Sequence, residues 1–237
     1  MYLDFLNYQN FYNSSIGNLL TYHIELKLKN YCHLYNNQNL GCFGYSLPYL
    51  NFLKKYNCSL SFCYSKKMGI SGENNLKINK LLIDEDRIPF QDSYFDHIFQ
   101  IHYLENACNI KLCLREIWRT LAPEGKIYLI LPNKKSSWYL SDKSPFSSGN
   151  GFSNRQIIDL LNNSFFEVQL IERLVYFPNK DLFFIKKYKD LIDKFGSFFF
   201  KYFNGVYLCI AKKKIYQKIT SQIELKKYSV TGVIKKN

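Results

Sequence analysis

Two short clusters hold the residues best suited to chemistry. His102 and Glu105 stand three positions apart in the run Ile101–His102–Tyr103–Leu104–Glu105. An imidazole with an ordinary pKa of about 6.5 is a ready general base. A carboxylate three residues on is placed either to orient it or to start a following helix. The second cluster is Leu40–Gly41–Cys42–Phe43–Gly44–Tyr45. A strand that ends in glycine lets backbone come close to a ligand, because no Cβ intervenes; a tight structural turn is the competing reading. The seven cysteines hold no C-x-x-C, and Cys58/Cys63 and Cys108/Cys113 are each five apart, which is no zinc or haem spacing. No metal site and no disulfide partner are expected, only free thiols in a reducing compartment.

The elements that must position these residues are clearest in the middle of the chain. Short apolar runs predict strands at Ser59–Tyr64, Lys77–Ile83, Phe95–Ile101, Lys126–Leu131, Phe166–Leu174 and Tyr207–Ala211. Ile110–Leu121 carries a helical apolar stripe, and Pro123–Glu124–Gly125 is a turn signal. Leu47–Tyr56 is helix-like, and Ser153 is a plausible N-cap for a helix over Arg155–Leu161. In residues 10–35 the alternation Leu20, Tyr22, Ile24, Leu26, Leu28 favours a strand, whereas length and the lack of Gly or Pro after Gly17 favour a helix, the reading adopted. Leu182–Phe203 reads as a long aromatic, basic helix. Strands alternating with helices predict an α/β fold: a doubly wound, mainly parallel sheet with helices on both faces. Ligands of such a sheet sit outside the carboxyl ends of its strands.

The 237 residues are 47% hydrophobic, 22% charged and 18% aromatic, which excludes a disordered chain, a collagen and a short disulfide scaffold. Net charge is +13, and from Lys212 onward eight lysines meet one acid, Glu224. That balance can draw a protein to nucleic acid or to an anionic membrane surface; a solvated tail is the alternative. Asp4 and the lack of early Lys or Arg argue against a secretory signal. No apolar run approaches the ~18 residues of a membrane span. A cytoplasmic location is expected.

Two stretches carry a family resemblance: DEDRIPFQDSYFDHIFQIHYLE from Asp84, and REIWRTLAPEGKIYLILPN from Arg115 to Asn133. They resemble the class I S-adenosylmethionine-dependent methyltransferases, in the broad type 11 group that includes ubiquinone and menaquinone methyltransferases. The family pattern falls on Asp84, Ile88–Pro89–Phe90, Phe95–Asp96, His102–Tyr103–Leu104–Glu105 and Leu121–Ala122–Pro123–Glu124–Gly125. MYLD at the start, GYSLPYL at 44–50, SDKSPF at 141–146 and GVYL at 205–208 are similar to a bacterial subgroup of the same family that is full length over this chain. The resemblance implies one domain over 1–211, with an N-terminal helix, a helical insert near 180–203 and a basic tail at 212–237. It also implies an antiparallel strand near the C-terminal end of the sheet, at Tyr207–Ala211.

The resemblance further implies S-adenosylmethionine as cofactor, held by Gly41, Cys42, Gly44, Tyr45, Asp84, Glu85 and His102. Asp84 would accept from the adenine amino group, the Glu85 N–H would meet a ring nitrogen, and His102 would line the methionine end. An Asp capping a loop is the plain alternative for Asp84, and Asp96 is read as structural. Two positions depart from the pattern. Cys42 stands where the family has glycine, so Cys42→Gly is expected to open room for the cofactor. Ser59–Tyr64 ends without the acid that holds the ribose hydroxyls, the nearest downstream being Glu73. Either Tyr64 or a loop residue replaces that acid, or the site has decayed.

Methyl transfer asks mainly for proximity and orientation, so the motifs do not name the acceptor. Three readings remain open. One is a methyltransferase on a small or lipid-like acceptor, with Leu182–Phe203 as a lid or a membrane-surface helix. Another is a relative that kept the fold and lost the cofactor. The last is an RNA methyltransferase, suggested by the charge and the interleaved aromatics.

Overall fold

The computed structural model describes residues 3–70, 79–142, 144–178, 198 and 202–215. Among them seven strands form one sheet: β1 (Asn39–Gly44), β2 (Ser59–Ser65), β3 (Asn79–Ile83), β4 (Phe95–Ile101), β5 (Leu121–Pro132), β6 (Phe166–Leu174) and β7 (Val206–Lys213). Their order is β3-β2-β1-β4-β5-β7-β6. β1 to β5 pair in parallel, and β7 runs antiparallel to β5 and to β6. This is the doubly wound, mainly parallel sheet expected, with its antiparallel strand near the C-terminal end. β7 continues two residues past the expected boundary: Lys212 and Lys213 pair within the sheet, and Lys213 is buried with its ammonium donating to the Leu121 carbonyl. The tail expected from Lys212 therefore starts after the strand, and residues 216–237 lie outside the described residues. The insert expected near 180–203 also lies outside them, apart from positions 198, 202 and 203.

Among the described residues five α-helices pack on the sheet: α1 (Phe5–Asn13), α2 (Ser15–Tyr31), α3 (Leu50–Leu53), α4 (Ile110–Thr120) and α5 (Asn154–Asn163). The single helix expected over residues 10–35 is broken at Ser14. Its extended backbone lets the hydroxyl cap α2 at the Gly17 N–H, 3.2 Å away. The corner is tight: a Cβ on Gly17 would lie 2.2 Å from the Phe11 carbonyl oxygen. Asp4 caps α1, Asn109 caps α4, and Ser153 with Gln156 forms a capping box on α5.

The period-two alternation of the strands feeds two cores. Leu40 and Cys42 of β1, Tyr128 and Ile130 of β5, and Leu208 and Ile210 of β7 face α1, α2 and α3. Phe43, Ile127, Leu129 and Cys209 face α4 and α5. The run Ile88–Pro89–Phe90 is fixed by Arg119 on α4, which donates to the Ile88 and Phe90 carbonyls at 2.8 Å each and pairs with Glu116 and Asp92. Asp96 accepts from the Asn39 N–H at 2.8 Å and so sets β4 against the start of β1, the structural role expected. Pro123–Glu124–Gly125 forms a bulge inside β5 with Glu124 at φ 64°.

Candidate active site at the carboxyl ends of β1 to β4

β1 ends at Gly44, whose φ is +76°. It packs on the end of β4 so closely that a Cβ would lie 2.2 Å from the Ile101 carbonyl oxygen. Tyr45 N–H then donates to that same carbonyl at 2.8 Å. Gly44 is thus required for the join between β1 and β4, and Tyr45 turns its ring up over the strand ends. Gly41 and Cys42 lie elsewhere. Both are inside β1, paired with Ser61 and Phe62 of β2, and are enclosed by the sheet and its cores. Burial drives the Cys42 thiol well above its ordinary pKa. Neither residue stands at the edge where a ligand would sit. The glycine spacing of the motif suggested otherwise, but the strand pleat turns Cys42 into the core under α2.

β4 delivers His102 immediately after Ile101. Its φ is +58°, a conformation that side chains other than glycine rarely adopt and that recurs at functional positions. The imidazole is wholly buried among rings, 4.6 Å from Tyr8 and 4.4 Å from Phe146 between centroids. Its Nε2 stands 2.8 Å from the Tyr12 hydroxyl, and its Nδ1 stands 3.2 Å from Glu105 Oε1. With the ring proton on Nδ1, facing the carboxylate, Nε2 accepts from Tyr12. Glu105 is likewise buried, and its carboxylate has no hydrogen-bond partner among the described residues. A buried carboxylate needs compensation, and the imidazole is the group in reach. The three side chains form one line from the N-terminal helix to the segment after β4.

α1 lies across this edge. Its residues Phe5, Tyr8 and Tyr12 share one buried face. Tyr8 and Tyr12 each stack on Tyr45 with centroids 5.4 Å apart, and Phe5 meets Tyr45 and Tyr64 edge-on. The start of α1 is tied down by Phe5 N–H donating to the Met68 carbonyl at 2.8 Å. Asn106 donates to the Tyr8 hydroxyl at 3.1 Å. Burial, and next the nearby Glu105, raise the Tyr8 phenol above its ordinary pKa. The end of the cleft over β1 and β4 is therefore filled by side chains of the chain itself.

The end over β2 and β3 is open. A cavity of about 200 Å³ is lined by Ser65, Lys67, Asp84, Glu85, Cys108 and Asn109, among others. Asp84 pairs with Lys66 at 2.7 Å, and both are substantially exposed. Glu85 accepts from the Cys108 N–H at 3.0 Å through one oxygen, while its Oε1 is buried without a partner among the described residues. That orphaned acceptor awaits a donor. Ser65 ends β2, where the resemblance leads one to expect an acid for the ribose, and its hydroxyl accepts from the Met68 N–H at 3.3 Å. Tyr64 is directed into the core beside Phe5 and does not replace it. Asp84, Glu85, Gly44, Tyr45 and His102 thus share one edge of the sheet. No motif marks Ser65, Tyr8, Tyr12 or Asn106, because their place at this edge comes from packing between segments far apart in the chain. No group of His, Cys, Asp or Glu among the described residues is arranged to hold a metal.

Comparison with known proteins bears on the domain and the fold. Residues 39–129, from the start of β1 to the middle of β5, match the methyltransferase domain family. The ubiquinone/menaquinone biosynthesis C-methyltransferase UbiE of Rickettsia prowazekii is 28% identical over 117 residues, 49% of this chain and 47% of that protein. The chain spans less than half the length of the curated relatives it matches. A SAM-dependent methyltransferase from Archaeoglobus fulgidus superposes with a TM-score of 0.61, covering 88% of this chain and 99% of that one at 17% identity. Geranyl diphosphate methyltransferase, solved with geranyl diphosphate and sinefungin, gives 0.61 over 83% of this chain and 78% of that one at 12% identity. The fold is that of the class I methyltransferases, and the domain match points to S-adenosylmethionine as the cofactor.

Proposed function

We propose that this chain, which carries a methyltransferase domain over residues 39–129, is a cytoplasmic methyltransferase for a small or lipid-like acceptor. The observation that carries the reading is the acid pair Asp84–Glu85 beside an open cavity at the ends of β2 and β3, with Glu85 Oε1 left as an acceptor without a donor. An adenosine offers amino and hydroxyl donors to such a site, so this half fits the cofactor. The other half is held by Tyr8, Tyr12 and Tyr45, and α1 must yield there before a methionine chain can enter. S-adenosylmethionine supplies an activated methyl group, and the chain has to supply binding, orientation and a path for a proton. Asp84, Glu85 and Ser65 hold the nucleoside end. His102 with Glu105 behind it, at the covered end, stays on the sheet when α1 yields and is placed to take a proton from an acceptor in place of the Tyr12 hydroxyl. The rings around it exclude water and suit an apolar acceptor, in line with the ubiquinone/menaquinone biosynthesis in the name of the Rickettsia relative. All seven cysteines are free of disulfides, which supports a reducing setting.

Calorimetric titration of the full chain with S-adenosylmethionine and S-adenosylhomocysteine tests the reading. Saturable binding is expected, weakened by about 1–3 kcal/mol in Glu85→Ala. No binding up to millimolar ligand would favour the second reading, a protein that kept the fold and closed its cofactor site. The filled end of the cleft is the observation on that side.

A further inference from the structure

A groove of about 640 Å³ runs along the outer side of α4 and α5 and shares no lining residue with the cleft. It lies in the helical layer on the opposite face of the sheet from α1 and α2. Lys111 and Arg115, one turn apart on α4, and Lys214, just past β7, supply three cations. No carboxylate lines the groove among the described residues. Two aromatic rings complete it. Trp118 is held in place, with its indole N–H donating to the Lys214 carbonyl at 3.3 Å and the Lys213 ammonium 4.2 Å from the ring centroid. Phe165 is 55% exposed, its ring 6.5 Å from that of Trp118.

Phe165 is the unusual element. Its φ is +61°, a conformation in which a bulky residue is strained and glycine is at ease. The strain contributes nothing to the core, because the ring points to solvent. An exposed ring beside a half-buried one, with cations that have no ion-pair partner among the described residues, in a concave surface suits single-stranded nucleic acid: a base stacks on the open ring and phosphates meet the cations. The sequence adds charge of the same sign. Beyond Ile215, which lines the groove, residues 216–237 hold five lysines and one acid.

We infer that this groove binds a single-stranded nucleic acid, with a base stacked at Phe165 and phosphates on Lys111, Arg115 and Lys214. An anionic membrane is the poorer fit, since the rings lie in a hollow and not on a protruding apolar face. The inference stands apart from the methyltransferase reading, because such binding needs no cofactor.

The test is fluorescence anisotropy of the full chain with a labelled oligouridine of about 12 nucleotides, within the usual range of site sizes. Phe165→Gly is expected to weaken binding about tenfold while leaving the thermal midpoint unchanged or higher, since glycine relieves the backbone. Lys111→Ala with Arg115→Ala should weaken binding and flatten its dependence on the logarithm of salt concentration by about 1.4, the loss of two phosphate contacts to a single strand. Replacing Lys226, Lys227, Lys235 and Lys236 by Gln should weaken binding while leaving the Phe165 factor in place. Oligothymidine bound with the same dependence on Phe165 supports the same groove. Equal affinity of wild type and Phe165→Gly, or a loss confined to the tail replacements, overturns the inference. So does binding to phosphatidylglycerol vesicles that depends on Phe165 more strongly than oligouridine binding does.

Discussion

The Tyr12 hydroxyl stands 2.8 Å from His102 Nε2, a contact between residues 90 positions apart that fastens the N-terminal helix to the end of β4. With Glu105 behind the imidazole, it fixes which ring nitrogen accepts and which faces the acid. Tyr12→Phe keeps the ring stack on Tyr45 and removes only the hydroxyl. A loss of about 1 kcal/mol in urea unfolding is expected, the scale for one buried hydrogen bond. Unchanged stability would show that the contact is not formed in solution.

His102 can be probed through its backbone. Asn tolerates the left-handed conformation, whereas a β-branched side chain does not. His102→Asn and His102→Val both lose the imidazole, so their difference isolates strain at φ +58°. His102→Val should be the less stable by about 1–2 kcal/mol. Equal thermal midpoints would show that the turn after β4 relaxes freely.

Tyr8 separates stability from access. Tyr8→Ala empties space beside Tyr45 and His102 and should lower stability by about 3 kcal/mol. The same change clears part of the covered end of the cleft, so S-adenosylmethionine should associate faster in stopped-flow measurements. Slower association would mean that the ring helps to receive the cofactor and does not block it.

Cys42→Gly reverses the expectation drawn from the motif. The thiol is buried in a core on a central strand, so glycine there removes packing and adds chain entropy, for a loss of about 2 kcal/mol with no gain in cofactor affinity. Tighter binding by the variant would restore the motif-based placement.

His97 makes stability depend on pH. Burial lowers its imidazole to about 4, against an ordinary value of about 6.5. The folded state therefore favours the neutral ring, and between these values the unfolded chain binds more protons. This contribution is fully present above about pH 6.5 and is lost as pH falls toward 4; on the order of 3 kcal/mol is at stake. His97→Phe should flatten the fall of the thermal midpoint across that window relative to wild type.

The segment from β4 to β5 was legible because its signals are local. Asn109 caps α4, Leu114 and Ile117 mark the buried stripe, and Pro123–Glu124–Gly125 marks the bulge. The acid pair at the end of β3 was legible for the same reason, being adjacent in sequence. Cys42 misled because glycine spacing was matched to a motif while the side-chain period of the strand decided which way it faced. Ser65, Tyr8 and Tyr12 were not legible at all. Asn106 and His102 are brought to Tyr8 and Tyr12 only by the crossovers of the sheet, and Ser65 reaches the acid pair only through the pairing of β2 with β3. Ser14 hid a helix break inside a run that contains no Pro, since a serine hydroxyl ends one helix only by capping the next.

The anchoring of α1 has a consequence for the order in which the molecule assembles. Its buried face meets rings that arise later in the chain, at Tyr45, Tyr64 and His102, and its first residue is tied to Met68. During synthesis α1 emerges before the strands it covers, and its contacts with His102 wait until β4 is laid beside β1. Contacts of such long sequence separation form late. α1 is thus made before the sheet it covers and settles after it, and the cleft stays uncovered until the parallel strands beneath it are in place.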